Sequence, residues 1–235
     1  MSNVLEKSDD GRTVMLRRMR LSFTDALKDK KRTSEESDKL SHTCNAINEK
    51  SGKFYDENQA KIVSALQAAG VIQWKNEGAY KSIREDSPKR VCARPGVSFK
   101  NREGKVYEGY EGNFAITGKG PGAGDRRPEL IDRGKRVLRE QATPEFIKAG
   151  RVFDVGDILS IFYPGTYADV RLSSFGTDKG SRGIFCSIER IRSYQEGERM
   201  AGGRPDLDDI DELEDLDDGD SFGGSPAAAP PDDDR

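Results

Sequence analysis

The sequence predicts a mainly β domain with one or two helices, built as a small Greek-key barrel with elaborated loops and followed by a disordered acidic tail. Short alternating segments recur between residues 13 and 194, and glycines stand at their ends and inside them. A single segment has clear helical periodicity, whereas a parallel α/β sheet needs helices between successive strands. We therefore predict a flexible N-terminus over residues 1–12, one domain over residues 13–200 and a tail over residues 201–235.

Two strands and one helix open the predicted domain. Residues 13–23 (TVMLRRMRLSF) and 40–48 (LSHTCNAIN) alternate between apolar and polar side chains, as half-buried strands do. Residues 56–70 (DENQAKIVSALQAAG) begin with acidic side chains, carry apolar residues at helical spacing and end with glycine. Acidic residues stabilise a helix N-terminus and glycine suits its C-terminus, so we predict an amphipathic helix here.

Two hairpins complete the predicted barrel. The first joins residues 91–99 to residues 105–117 through a short polar turn that contains glycine. The second joins residues 157–175 to residues 184–194 across the loop GTDKGSRG. Residues 118–150 combine a glycine-rich start with a mixed charged stretch, and the pattern does not assign them to a helix, a strand or a long loop.

Charge is segregated along the chain. Residues 206–235 carry thirteen Asp and Glu and one Arg, out of 42 acidic and 39 basic residues in the whole chain. The preceding 205 residues therefore hold 38 basic against 29 acidic side chains, a surplus of nine positive charges. A basic domain is typical of a protein with a polyanionic partner, and a like-charged acidic run stays solvated. We expect the tail to compete for the basic surface.

Several classes of protein are excluded by what the sequence lacks. Cys44, Cys92 and Cys186 form no CxxC pair and lie among apolar residues, so we expect buried free thiols in a reducing compartment. The N-terminus is polar, and no apolar stretch approaches the ~18 residues of a membrane helix. We therefore expect a cytoplasmic protein that is neither exported nor membrane-spanning.

Enzymatic chemistry has little support in the residue types. His42 is the single histidine, so a His-based triad, metal cluster or proton relay cannot be assembled. Residues 118–124 (GKGPGAG) lack the GK[ST] ending of a phosphate-binding loop and are predicted as a flexible loop. The acidic tail lacks the spacing of an EF-hand. We expect no catalysis, no metal and no cofactor.

Residues 167–175 present the combination expected of a binding strand. Alternation places Ala168, Val170 and Leu172 on one face, which we assign to the core. The opposite face offers Tyr167, Arg171 and Phe175. Aromatic rings interleaved with Arg stack bases and neutralise phosphates in proteins that bind single-stranded nucleic acids. The alternative is a sheet covered on both faces.

The same test applied to residues 105–117 separates core and surface aromatics. Tyr110 and Phe114 share an inward face with two aliphatic residues, while Tyr107 points outward and is the better stacking candidate. A bulge at Gly109 or Gly112 would reverse part of this pattern. The flanks of Phe99 and Trp74 show no clean alternation, so either face is possible for these rings.

Basic side chains recur where turns are predicted: Lys89, Arg90, Arg94, Lys100, Arg102, Lys119, Arg126, Arg127, Lys179 and Arg182. Mobile cations of this kind follow a phosphate backbone and make binding strongly salt-dependent. The alternative for each of them is a solvated surface charge. Apolar residues within the acidic tail, among them Leu216 and Phe222, suit a partner with a basic, apolar groove.

Three segments carry a resemblance to a known family: RLSF at 20–23, YEGYEGNFAITGKG at 107–120 and FYPGTYADVRLSSFGTDKGSRGIFCSIERIRSYQEGERM at 162–200. Together they resemble the single-stranded DNA-binding proteins of tailed bacteriophages, an OB-fold family. The shared features are the aromatic-Gly-aromatic strand, the KG.RG hairpin and the Glu-Gly-Glu turn. The similarity spans about residues 18–200.

The resemblance implies an OB barrel that binds single-stranded DNA without sequence preference in phage replication, recombination or repair. It also implies a tail that recruits replication or recombination proteins. The resemblance supports Tyr107, Tyr110, Phe114, Tyr167, Arg171 and Phe175 in or beside the DNA groove. From the pattern of rings and basic turns we add Arg94, Phe99, Lys100, Arg102, Lys119, Lys179 and Arg182. The residues expected to bind a partner are Asp215, Leu216, Asp217, Asp218 and Phe222. Tails in this family commonly finish on an apolar or aromatic residue. This chain instead finishes in PPDDDR, and its only tail aromatic, Phe222, lies thirteen residues earlier.

Two other functions remain open at this point. The tail itself could be the functional part of an interaction protein, acting as a nucleic-acid mimic or a chaperone-like acidic arm. Alternatively, the barrel could bind RNA, which differs by contacts to the 2′-hydroxyl that a sequence does not reveal. We expect a monomer or a small homo-oligomer.

Overall fold

The computed structural model describes residues 10–32, 39–122 and 124–200. Its strands are β1 (Thr13–Ser22), β2 (Lys31–Arg32), β3 (Leu40–Ser41), β4 (Thr43–Asn48), β5 (Ala93–Pro95), β6 (Phe114–Lys119), β7 (Glu129–Ile131), β8 (Val137–Leu138), β9 (Val152–Phe153), β10 (Tyr167–Thr177) and β11 (Gly183–Gln195). Its helices are α1 (Asp25–Lys28), α2 (Tyr55–Trp74), α3 (Ala79–Asp86), α4 (Pro144–Lys148) and α5 (Ile158–Ile161). The expectations for residues 1–9 and for the acidic tail lie outside the described residues.

Five of the strands close into a ring. β1 pairs antiparallel with β4 and β10, β4 pairs with β6, and β10 pairs with β11. The ring closes through a parallel contact between β6 and β11, where Lys119 is the partner of Ser187. β5 continues the sheet beyond β6, and β7, β8 and β9 continue it beyond β11. β2 and β3 form a separate two-stranded sheet.

The interior of this ring is the main hydrophobic core. Alternating residues of β10 are buried while their neighbours are half-exposed, which confirms the face predicted from Ala168, Val170 and Leu172. Helix α2 adds Ile62 and Leu66 to the same core. Burial of large apolar side chains is the dominant favourable term for such a fold.

A β-bulge interrupts β1. The register of β1 with β10 shifts between Leu16 and Met19, and Arg18 has a φ of 52°. The extra residue lets Leu16 and Met19 both point inward although three positions separate them. Asn58 of α2 stabilises the bulge, because its side chain accepts from Arg17 N at 2.9 Å and donates to Arg17 O at 2.8 Å.

The predicted helix is confirmed and is longer than expected. It runs to Trp74 instead of ending at Gly70, and Lys75 takes the left-handed conformation beyond its last turn. Gly70 does not end the helix but allows residues near Ala79 to pack closely against it, since a Cβ at that position would approach the Ala79 Cβ to 3.3 Å. Helix α3, which the sequence pattern did not reveal, lies against α2 at this contact.

Three strand predictions were wrong in extent. Within residues 91–99 only Ala93–Pro95 form a strand, and a 3-10 turn follows it. Residues 105–113 form no strand beyond one isolated bridge between Lys100 and Val106, and β6 begins only at Phe114. Gly109 and Gly112 both have positive φ, of 79° and 76°, which a β-strand does not accommodate. In the second hairpin, the beginning of the predicted strand 157–175 is the short helix α5, and the strand itself starts at Tyr167.

The unassigned segment 118–150 contributes β7, β8 and α4. All three cysteines are buried and free, as predicted. Burial raises the pKa of the Cys44 thiol to about 12. Within residues 10–32, 39–122 and 124–200, no helix is both long enough and apolar enough to cross a bilayer.

Candidate nucleic-acid interface

The outer side of β5, β6, β4 and β1 forms a continuous surface, which we call the aromatic face. Strand register aligns Arg94 with Ala115, Ala115 with Ile47, and Ile47 with Arg20. Arg20 is in turn the partner of Tyr167 in β10. Side chains paired in this way project to the same side of a sheet, so these five residues form one row across four strand boundaries.

A second, polar row lies beside the first. Thr117 pairs with Asn45, and Asn45 pairs with Ser22. The intervening residues of the same strands, such as Ile116 and Ala46, point into the core of the ring. The aromatic face therefore combines this polar row with a first row whose apolar centre, Ile47 and Ala115, is flanked by Arg20 and Arg94, on the outside of β1, β4, β5 and β6.

Four rings collect on this face, and we call them the aromatic cluster: Phe23, Phe99, Tyr107 and Tyr110. The Phe23 and Tyr107 centroids are 5.0 Å apart in an edge-to-face arrangement, and those of Phe99 and Tyr110 are also 5.0 Å apart. The cluster packs on Ile47, Ala115 and Met200. Rings in such geometry stabilise one another beyond the area they bury.

Tyr110 and Phe99 form the buried floor of the cluster. Tyr110 is fully buried, and its hydroxyl accepts a hydrogen bond from Asn45 Nδ2 at 2.8 Å. Burial raises the pKa of Tyr110 well above its ordinary value, so the ring stays neutral. The loop can lie this close because Gly96 faces Tyr110, where a Cβ would sit 1.8 Å from the Tyr110 carbonyl oxygen.

Phe23 and Tyr107 form the accessible edge of the cluster, since both rings are only partly buried. Phe23 follows β1 with a φ of 53°, a left-handed conformation that is unusual for a bulky side chain. Such conformations cost on the order of 1–3 kcal/mol and concentrate at functional sites. The sequence pattern missed Phe23 as a site residue, although it is the last residue of the RLSF segment.

Basic side chains border the cluster. The Arg94 guanidinium lies 4.7 Å from the Phe99 centroid and is buried against it. Lys119 is buried at the end of β6, while Lys100 and Arg102 are exposed in the turn that precedes Tyr107. The face thus has positive charge around its border.

Tyr167 marks the edge of the aromatic face on β10. Its hydroxyl donates to Glu49 Oε2 at 2.7 Å, and the other oxygen of Glu49 pairs with Arg20 at 3.1 Å. Burial, together with the hydrogen bond to Glu49, raises the pKa of Tyr167. This arrangement holds the ring in place and neutralises Arg20.

The other predicted residues of β10 lie elsewhere. Arg171 pairs with Glu189 at 3.1 Å. Phe175 is eight residues from Tyr167, about 26 Å along a strand, and packs near Phe185 with centroids 6.5 Å apart. The structure therefore brings Tyr167 to the aromatic face and places Phe175 at the other end of the strand.

Lys179 and Arg182 lie in the turn between β10 and β11, which is fixed from two sides. Trp74 Nε1 donates to both carboxylate oxygens of Asp178, at 2.8 and 2.9 Å, and Arg182 pairs with the same carboxylate at 3.4 Å. Arg90 donates to the carbonyl oxygen of Lys179 at 3.0 Å. Trp74, the last residue of α2, thus contacts this hairpin and is not part of the aromatic cluster.

Phe114 is on the inner side of β6 and packs in the main core. It therefore supports the aromatic face from behind. Among the residues that the structure describes, no group of three or more His, Cys, Asp or Glu side chains is arranged to hold a metal ion. The surface offers rings on which bases can stack and cations that can neutralise phosphates, a combination that suits an unpaired nucleic-acid strand.

A family model described as the single-stranded DNA-binding protein of Enterobacter phage Enc34 matches residues 12–222. The chain belongs to this family. The match covers the whole ring of strands and continues into the acidic tail. No curated protein matches the chain.

Solved structures of a member of the Enc34 family share the fold. The single-stranded DNA-binding protein of bacteriophage Enc34 in complex with single-stranded DNA aligns with a TM-score of 0.60 at 12% identity, over 80% of this chain and 89% of that chain. The same bacteriophage protein described without DNA aligns with a TM-score of 0.59 at 13% identity, over 84% of this chain and 88% of that one. The resemblance identified from the sequence is confirmed.

Proposed function

We propose that this chain binds single-stranded DNA without sequence preference, as an OB barrel, during phage DNA replication, recombination or repair, and that it catalyses no reaction. The observation that carries the proposal is the aromatic cluster. It presents the half-buried rings of Phe23 and Tyr107 on the outside of β4 and β6, with cations beside them. Membership of the Enc34 family supports the same function.

The strand order supports the assignment of the barrel. In chain order the ring strands are β1, β4, β6, β10 and β11, and around the ring they run first, second, third, fifth, fourth. An OB fold is a five-stranded Greek-key barrel that binds oligonucleotides across its second and third strands. In this chain those strands are β4 and β6, which carry the aromatic face.

Each part of the aromatic face has a proposed role. Bases stack on Phe23 and Tyr107, while Phe99 and Tyr110 hold those rings in position. Lys100 and Arg102 neutralise phosphates at the rim, and Arg94, Lys119 and Tyr167 bound the groove. Phe114 supports the face from the core, whereas Lys179 and Arg182 lie at the end of β10 away from Tyr167, with Arg182 paired to Asp178, and we assign them no contact with DNA on this face. Stacking on any base, together with phosphate contacts, accounts for binding without sequence preference.

We propose two roles for the acidic tail. It competes with DNA for the aromatic face, and it recruits replication or recombination proteins through Asp215, Leu216, Asp217, Asp218 and Phe222. The competition is supported by Met200, the residue before the tail, which packs against Ile47, Phe99 and Tyr110. The tail is therefore tethered at the edge of the surface that its charge complements.

The binding function is tested by titrating the full chain into fluorescently labelled oligo-dT, oligo-dA and oligo-U at low salt and measuring anisotropy. We expect similar dissociation constants for the two DNA oligomers. Preference for oligo-U would favour an RNA-binding barrel. Absence of association with every oligomer would contradict the proposal and favour an interaction protein that acts through its tail.

The competition is tested separately by deleting residues 206–235. Removal of a competing polyanion should tighten oligo-dT binding at low salt, and the gain should shrink as salt screens the tail. A neutral tail of the same length, with its acidic residues replaced by Asn and Gln, is the matched control. Equal affinity of all three proteins at every salt concentration would contradict competition by the tail.

A further inference from the structure

A second group of rings and cations lies on the barrel outside the aromatic face. We call it the bulge patch: Arg17, Arg18, Lys53, Phe54 and Tyr194. The Arg18 guanidinium lies 5.1 Å from the Phe54 centroid and 4.4 Å from the Tyr194 centroid. Arg17 and Lys53 lie 5.5 and 5.7 Å from the Phe54 centroid. Three positive charges thus gather on two rings.

The bulge in β1 creates this arrangement. Regular alternation would direct one of two successive arginines into the core, but the extra residue leaves both Arg17 and Arg18 exposed. The backbone of Arg18 donates to Asp169 Oδ1 at 3.2 Å, and the Arg18 side chain donates to the Tyr194 hydroxyl at 2.6 Å. The patch is therefore built on a fixed irregularity of the barrel.

The cations of the bulge patch form no close ion pair within the described residues, and Arg17 interacts with Glu57 only at longer range. Among the described residues, no carboxylate lies within 4.0 Å of the charged nitrogens of Arg17, Arg18 or Lys53. Two neighbouring carboxylates, Glu57 of α2 and Asp169 of β10, pair with Lys61 and Arg192 instead, each at 2.6 Å. An unpaired guanidinium held between two aromatic rings attracts anions and flat π-systems alike.

The bulge patch continues the aromatic face around the barrel. Arg20 belongs to the aromatic face, and Arg18 precedes it by two residues on β1, about 7 Å along a strand. Tyr194 lies on β11, beyond β10 in the strand order. A strand of DNA that crosses β6, β4 and β1 reaches this patch next.

We propose that the bulge patch is a second contact for the same DNA strand, holding the phosphates and a base of nucleotides that extend past the aromatic face; this inference rests on the proposed function. The cations bind the phosphates, and the exposed Tyr194 ring receives the base. Rings and Arg in this combination favour nucleic acid over an acidic peptide, which needs only the charges.

Oligonucleotide length separates the two surfaces experimentally. The full chain and its R18A/Y194A variant are titrated with oligo-dT of about 6 and about 20 nucleotides, since one OB fold covers roughly 4–16 nucleotides. We expect the variant to bind the longer oligomer about tenfold more weakly, the effect of losing one stacked base, and to bind the shorter one unchanged. Equal affinity of variant and unmodified chain for the longer oligomer would overturn the inference.

A second outcome would also contradict the proposal that the bulge patch binds DNA. If the bulge patch binds the chain's own acidic tail, the variant changes affinity for both oligomers by the same factor. Failure of the unmodified chain to bind the shorter oligomer would instead count against the proposed function itself.

Matched controls keep the result interpretable. The F146A/R151A variant removes a comparable pair, with the guanidinium 4.7 Å from the ring, at the far end of the sheet order, and should leave both affinities unchanged. The R18K/Y194F variant keeps a charge and a ring and should recover most of the loss. If R18A/Y194A does not fold, as judged by circular dichroism, R17A and K53A remove exposed cations of the same patch, and each should weaken binding of the longer oligomer only and reduce its salt slope by about 0.7, the value for one phosphate contact.

Discussion

The aromatic face and the outer side of β10 contain the same kinds of residue but differ in how those residues are used. On β10, Arg171 pairs with Glu189, and Phe175 lies about 26 Å from Tyr167 along the strand. On the aromatic face, rings from four separate positions of the chain gather into one cluster, with Arg94 packed on Phe99. Residue type alone therefore does not distinguish the proposed binding surface from the outer side of β10.

The two regions differ in the regularity of their backbone. On β10 the backbone is a regular strand, so ring positions are spread at strand spacing and adjacent charges find partners on β11. Residues 99–110 avoid regular structure and fold back over β4 and β6 through Gly96 and Gly109. An irregular loop brought together rings that a strand would have kept apart.

The largest expected effect comes from replacing the two accessible rings with aliphatic side chains. The F23L/Y107L variant keeps apolar volume but removes the stacking surfaces. Because each stacked base contributes about 1–3 kcal/mol, the loss of two such contacts should weaken binding to short oligo-dT by about 30-fold or more. Fluorescence anisotropy measures the change.

Two controls sharpen this result. The F23Y/Y107F variant retains both rings and should bind nearly as well as the unmodified chain. The R171A variant removes an arginine of β10 whose charge is already paired, and should bind within about twofold of the unmodified chain, because an exposed pair contributes little. An R171A loss equal to that of F23L/Y107L would remove the distinction between the two regions.

An intermediate effect is expected in the salt dependence of binding. Lys100 is exposed beside the aromatic cluster, so K100A should reduce the slope of log K against log salt by about 0.7, the value for one phosphate contact with a single strand. Binding isotherms over a salt series give the slope. The R171A slope should match that of the unmodified chain, and a reversed pattern would place the phosphates on β10.

A smaller effect on binding accompanies loss of the Tyr110 hydroxyl. Y110F keeps the buried ring but leaves Asn45 without the acceptor 2.8 Å away, so the free energy of unfolding should fall by about 1–3 kcal/mol. Affinity for oligo-dT should change by less than about threefold, because the Tyr110 hydroxyl is buried and affects the accessible rings only indirectly. Urea denaturation and anisotropy measure the two quantities; a large affinity loss with unchanged stability would make Tyr110 a contact residue.

The smallest expected effect is on alkaline stability. Burial raises the pKa of Tyr110 above its unfolded value of about 10. The neutral ring therefore stabilises the fold fully below that pH, and the contribution is lost as the pH rises through the folded pKa. Melting temperatures should fall above about pH 10, and less steeply in Y110F than in the unmodified chain. An identical fall of melting temperature with pH in the two proteins would show that ionisation of Tyr110 does not cause the loss of stability.

Alternation was sufficient to predict the regular parts of the fold. The inward face of β10 follows directly from its alternation, and α2 buries residues at helical spacing, whereas the bulge between Leu16 and Met19 breaks the alternation of β1. Residues 105–113 misled the same test because two glycines with positive φ interrupt the strand. Phe23 escaped notice because its placement depends on a left-handed turn after β1, which no periodic pattern encodes.

The bulge patch shows a further limit of sequence patterns. Arg17, Arg18, Phe54 and Tyr194 come from three distant segments, and only the β1 bulge and the pairing of β10 with β11 bring them together. Charge counts revealed a basic domain but not which cations lack a carboxylate. Long-range pairing decides that, and a single sequence does not display it.

The central claim is that single-stranded DNA lies across the aromatic face. Its most direct test is photo-cross-linking of the full chain to oligo-dT of about 6 nucleotides carrying one 5-iodouracil, a length within the range that one OB fold covers, followed by mass spectrometry of the peptides. The account predicts cross-links at Phe23 and Tyr107. Cross-links confined to Phe175, Trp74 or Phe146, with none on the aromatic cluster, would contradict it.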